Sequence, residues 1–120
     1  MNIELNYIKD SGNIEKERIV FKVLSDAELG KFLVAQSVLV EDSRFSSKLG
    51  EIYWFPDQQV KEGDLVVLYT KSGENKSIKN ENDSTTYFFY WGLGAVHNQR
   101  DNACIVLLDA TWQSYAVPVK

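Results

Sequence analysis

The sequence predicts an all-β fold: an antiparallel β-sandwich of about eight strands. Three observations carry that expectation. Apolar and polar residues alternate with a period of two over several stretches. Turn-forming residues recur between those stretches at short intervals. Helical periodicity is almost absent. A sandwich is favoured over a barrel because several strands are apolar on both faces while others alternate cleanly. The 120 residues fit one domain spanning 1–120, with no internal repeat and no linker.

Each element follows from its local pattern. Ile3, Leu5 and Tyr7 alternate with Asn2, Glu4 and Asn6, as in a strand with one dry face. Ile19, Phe21 and Val23 repeat this, with Arg18 and Lys22 on the opposite face. Gly12-Asn13 between the two runs predicts a hairpin turn. Ser25-Asp26-Ala27-Glu28 is a helix-start signal, with Ser25 as N-cap, and Gly30 limits it to one turn. Phe32 to Glu41 reads as a strand interrupted on its apolar face by Gln36. Glu51 to Phe55 is a short aromatic strand closed by Pro56, which lacks a donor for further pairing. Lys61-Glu62-Gly63-Asp64 is a tight turn leading into Leu65 to Tyr69. That run is apolar throughout, so it is expected at the centre of a sheet. Ser72 to Ser84 holds one large apolar residue, Ile78, and is expected to be a mobile loop. Thr86 to Trp91 and Ala103 to Leu108 are two further apolar strands, and Gln113 to Val119 is expected to close the sheet.

Composition removes several classes of function. Thirteen Lys plus Arg against seventeen Asp plus Glu give a formal charge of −4. That balance argues against charge-driven binding to nucleic acid or to an anionic membrane. One Cys excludes an internal disulfide, and with one His it cannot build a His/Cys zinc site, so no metal or cofactor is expected. The longest mostly apolar stretch, Tyr87 to Val96, is too short to span a bilayer and contains two glycines. Residues Met1 to Lys9 lack the pattern of a signal peptide, so a soluble cytoplasmic domain is expected.

The second half of the chain resembles a known family. Phe55-Pro56, followed by Val60-Lys61-Glu62-Gly63-Asp64-Leu65-Val66-Val67-Leu68-Tyr69-Thr70, is similar to the middle of a lamin tail domain. There a strand ends near Pro, and a Lys-x-Gly-Asp-type turn opens an apolar strand ending in Tyr-Thr. A polar loop and an aromatic strand follow, here Tyr87-Phe88-Phe89-Tyr90-Trp91. Asn98, Asp101, Asn102 and Ala103 then resemble the family's Asn-rich turn, which feeds a run ending Leu107-Leu108-Asp109. The match covers roughly Tyr53 to Ala110. The resemblance implies an immunoglobulin-like β-sandwich, a bacterial-type stand-alone module with no enzymatic activity.

His97 and Cys104 are the only thiol–imidazole candidates, and a nucleophile would need them in hydrogen-bond reach. Cys104 lies inside an apolar strand beside Val106 and Leu108 and reads as a core filler. Glu15 and Glu17, alternating with Lys16 and Arg18, read as a solvated strand edge. Tyr87, Phe89 and Trp91 share one strand face and Phe88 and Tyr90 the other, so these rings and Trp54 read as core. Gly92-Leu93-Gly94 precedes no helix and reads as a bend. Trp112 stands apart, because Asp109, Thr111, Gln113 and Ser114 surround it and imply exposure. The expected function is a non-catalytic interaction module that binds a protein partner through end loops or an edge strand. Its contact residues are expected to be Trp112, His97, Asn98 and Arg100. A carbohydrate-binding sandwich using exposed aromatics is the alternative, and a small cysteine hydrolase ranks last.

Overall fold

The computed structural model describes residues 2–41, 44–95 and 102–119. It is the all-β sandwich that the sequence predicts. The elements in chain order are β1 (Ile3–Lys9), β2 (Arg18–Val23), β3 (Ala27–Glu28), a 3₁₀ turn (Leu29–Lys31), β4 (Phe32–Glu41) and β5 (Arg44–Phe45). There follow β6 (Ile52–Trp54), β7 (Gln59–Val60), β8 (Leu65–Tyr69), β9 (Lys76–Lys79), β10 (Thr85–Tyr90) and β11 (Ala103–Asp109). Eight of these strands have three or more residues and three have only two.

The larger sheet runs β1-β2-β8-β10-β9 and the smaller β11-β4-β5, with β6 also paired to β4. A two-residue ladder, β3 with β7, links their ends. As its apolar run predicts, β8 is central, between β2 and β10. One pairing departs from the antiparallel rule: β10 runs parallel to β8. Parallel neighbours need a crossover of about a dozen residues or more, which the segment between Tyr69 and Thr85 supplies. Part of that segment is not a loop. Lys76–Lys79 pairs antiparallel with β10 as the outermost strand, although all four residues are exposed.

Alternation decides what each sheet buries. Ile3, Ile19, Phe21, Val23, Val66, Leu68 and Phe89 point inward from the larger sheet and meet Phe32 and Val34 from the smaller one. Phe55 sits between the layers, edge-on to Phe21 at 5.7 Å and to Phe89 at 5.3 Å between ring centroids. Such edge-to-face contacts place the positive ring rim against the negative ring face. The Lys61–Asp64 turn forms as expected. The Asp64 amide donates to the Lys61 carbonyl, Gly63 takes φ +92°, and the Asp64 carboxylate accepts from the amides of Lys61 and Thr85.

Three further expectations about the strands and their ends are corrected. Ser25 does not cap a helix. Residues 27–28 form β3 instead, and Glu28 caps the 3₁₀ turn by accepting from the Gly30 amide. Glu17 is not on a solvated edge but fully buried. Its carboxylate accepts from the Gly12 amide at 2.9 Å and from the Thr70 hydroxyl at 2.6 Å. Hydrogen bonds to an ionised acceptor offset the cost of removing it from water. Residues 113–119 form no strand, and every residue of 110–119 is exposed.

Candidate functional site: an aromatic groove beside the smaller sheet

The exposed apolar surface is strongly one-sided. Of the thirteen large exposed hydrophobics among the described residues, only Tyr7, Leu24 and Ile78 lie outside the smaller sheet, its connections and the segment after β11. Trp54, Trp112, Ser114 and Tyr115 line an open groove of about 420 Å³ in this region. Scattered apolar residues are ordinary on a protein surface, but clustered ones mark contact sites.

Register explains how Trp54 reaches the surface. Tyr53 pairs with Val34 and points into the core, so Trp54, opposite Leu33, must point out. Its indole Nε1–H donates to the Gly30 carbonyl at 2.7 Å, which fixes the ring against the 3₁₀ turn. Half of Trp54 remains exposed, so the expectation that it is core is corrected. Trp112 lies just past the end of β11, whose pairing with β4 extends one rung beyond Asp109. The Ala110 amide donates to the Lys31 carbonyl there, at 2.7 Å. The rings of Trp112 and Tyr115 then lie 6.5 Å apart at 53°. Trp112 is 61% and Tyr115 83% exposed, so both rings are open to a partner. His97, Asn98 and Arg100 lie outside the described residues, so only Trp112 of the four expected contacts can be placed. Trp54 and Tyr115 join it here. Trp54 was missed because its outward direction is set by the pairing of β6 with β4.

The outer face of the larger sheet is aromatic too, but its rings are already engaged. Tyr69 and Tyr90 are cross-strand neighbours with centroids 5.2 Å apart and planes within 10°. Two coplanar rings side by side would collide at that distance, so they overlap face to face. The Arg18 guanidinium lies 5.7 Å and the Lys71 ammonium 5.4 Å from the Tyr69 centroid. A β-carbon built on Gly73 would fall 2.5 Å from Tyr90 Cδ1, which places the Gly73 backbone tightly against that ring. These contacts cover Val20 and Val67 and leave little ring face for a ligand.

A polar hollow of about 470 Å³ at the β3–β7 end is lined by Asp26, Glu28, Lys31 and Asp109, among others. Two of its carboxylates are committed to the fold. Asp26 accepts from the Glu62 amide, and Glu28 accepts from the amides of Gly30 and Gln58. Among the described residues, no group of three or more His, Cys, Asp or Glu could hold a metal ion. Cys104 sits half-buried on the outer face of the smaller sheet, not in the core, because Ile105 and Leu107 take the inward positions. Its imidazole candidate, His97, is outside the described residues. Among those residues, no helix is long and apolar enough to cross a membrane. No protein-family model matches the chain, and no curated protein matches it.

Proposed function

We infer that this chain is a non-catalytic interaction module, a lamin-tail-like sandwich of the immunoglobulin type. It binds a protein partner through the Trp54–Trp112–Tyr115 groove and acts in the cytoplasm. The observation that carries this reading is two exposed tryptophans and an exposed tyrosine lining one groove, with one indole pinned by a hydrogen bond. Tryptophan and tyrosine dominate the energetic centres of protein interfaces, because each buries a large area while losing few rotamers. The order of elements from Phe55 to Asp109 supports the family assignment. A strand ends at Trp54, just before Pro56, a Gly-Asp turn opens β8, and aromatic β10 precedes apolar β11.

A glycan is the second reading, favoured by the same exposed indoles, since sugar rings stack on such faces. One experiment separates the two. The immobilised domain is exposed to native lysate, and a specific protein is retained by wild type but lost with Trp112→Ala. Truncating an interface tryptophan costs about 2 kcal/mol or more, roughly thirtyfold in affinity. Equal retention by the variant removes the groove from the reading. Quenching of tryptophan fluorescence by a polysaccharide, with no protein retained, establishes the glycan instead.

A further inference from the structure

Sheet edges expose unpaired backbone donors and acceptors, and proteins normally shield them with bulges, charges, proline or short length. Among the described residues, three of the four edges of the two main sheets are shielded. β1 carries a register break between Leu5 and Tyr7 and ends in Lys9. β9 has four residues, two of them lysines. The flank opposite β11 is divided between β5 and β6, with two and three residues.

β11 has no bulge, no proline and no short length, and its one charge, Asp109, stands at its end. Its seven residues pair with β4 in unbroken register from Ala103 to Asp109. Ala103 to Leu108 holds no charge and no proline. Among the described residues, only β4 pairs with β11. Among the described residues beyond it, 110–119 form no strand on the open side. Trp112, Ser114 and Tyr115 instead line the groove with Trp54, whose strand pairs with β4 on the side away from β11. Ile105 and Leu107 face the core yet stay only half-buried, so the core itself is open along this flank.

We propose that β11 pairs antiparallel with β11 of a second copy of this chain, about a two-fold axis, joining two smaller sheets into one. Self-pairing fits because the strand is complementary to its own reverse. With Val106 on the axis, the small Cys104 meets the large Leu108 of the copy, and Ile105 meets its isomer Leu107. Asp109 then meets Ala103, and no like charges oppose. The two-fold axis makes the contact isologous, which closes the assembly at two copies. Seven paired residues give a contact about 24 Å long, and the exposed flank of Ile105 and Leu107 becomes covered.

Sedimentation equilibrium from about 1 μM to about 1 mM tests this on the full chain. A species of twice the 13.7 kDa chain mass is expected to grow with concentration. Val106→Lys is expected to remain monomeric throughout, because two ammonium groups would oppose on the axis. Val106 points to the outer face, where a lysine stem can lie on the sheet and reach water, so the circular dichroism should stay that of wild type. Nitroxides on Cys104, the single cysteine, are expected to report a Cα separation of about 14 Å, four residues along the paired strands. A wild-type chain monomeric at every concentration overturns the proposal. So does a dimer that survives Val106→Lys, lacks the Cys104 coupling, or dissociates with Trp112→Ala alone. That last result would place the contact at the aromatic groove, so the two sites are tested separately.

Discussion

The Thr70 hydroxyl donates to the Glu17 carboxylate at 2.6 Å across 53 residues of sequence, and both residues are fully buried. The Thr70 amide also donates to the Glu17 carbonyl, so backbone and side chain bind the β1–β2 connection to the end of β8. Removing one partner leaves a buried polar group short of a bond, which costs more than the bond contributes. Glu17→Ala is expected to destabilise the fold by about 3 kcal/mol and Thr70→Val by about 2 kcal/mol in urea unfolding. Values near zero for both would show that the pair holds nothing in place.

A second expectation concerns Gly73 and Tyr90. A β-carbon at position 73 would lie 2.5 to 2.8 Å from three Tyr90 ring carbons, which are themselves held by Tyr69. Gly73→Ala should therefore cost about 1–3 kcal/mol through overpacking. In a Tyr90→Ala background the penalty should disappear, because the obstructing ring is gone. Gly63→Ala should cost about 1–2 kcal/mol for a different reason. Its added carbon meets nothing within 4 Å, but φ +92° is strained for any side chain. Thermal unfolding of the four variants separates collision from backbone strain.

Tyr53 predicts a pH effect. Burial between Phe55 and Trp91 disfavours the phenolate and raises its pKa above the ordinary value. Above about pH 10 the unfolded chain loses the phenolic proton while the folded chain keeps it. The unfolded state then binds fewer protons, so stability falls as pH rises through that range. It is fully present below pH 10. Tyr53→Phe should flatten this alkaline decline in chemical denaturation at pH 9 and 11. An unchanged slope would assign the decline to other groups.

The strands were legible where apolar residues alternate with polar ones, as in β1 and β2, or run unbroken between turn residues, as in β8, β10 and β11. β1, β2, β8, β10 and β11 fall where their residue patterns place them. β9 was not legible, since Lys76-Ser77-Ile78-Lys79 buries nothing and forms only because β10 offers it an edge. The parallel pairing of β8 with β10 was equally hidden, as crossover direction leaves no mark on either strand. Residues 113–119 show the reverse error. Tyr115, Val117 and Val119 alternate like a strand, but no neighbouring edge pairs with them.

The site was half legible. Local polarity around Trp112 disclosed its exposure, whereas Trp54 sits in an aromatic run that reads as core. Its outward direction depends on the register of β6 against β4, a long-range fact. Glu17 misleads for the same reason. Between Lys16 and Arg18 it looks solvated, and the groups that bury it arrive from Gly12 and from distant Thr70.

The most direct measurement compares what wild type, Trp112→Ala and Ile78→Ala retain from native lysate, by mass spectrometry. Ile78 is an exposed apolar residue on the opposite sheet and serves as the control. One protein held in stoichiometric amount by wild type and Ile78→Ala, and absent with Trp112→Ala, is the predicted result. The same protein held equally by all three, or none held by any, contradicts the assignment of the groove as the contact surface.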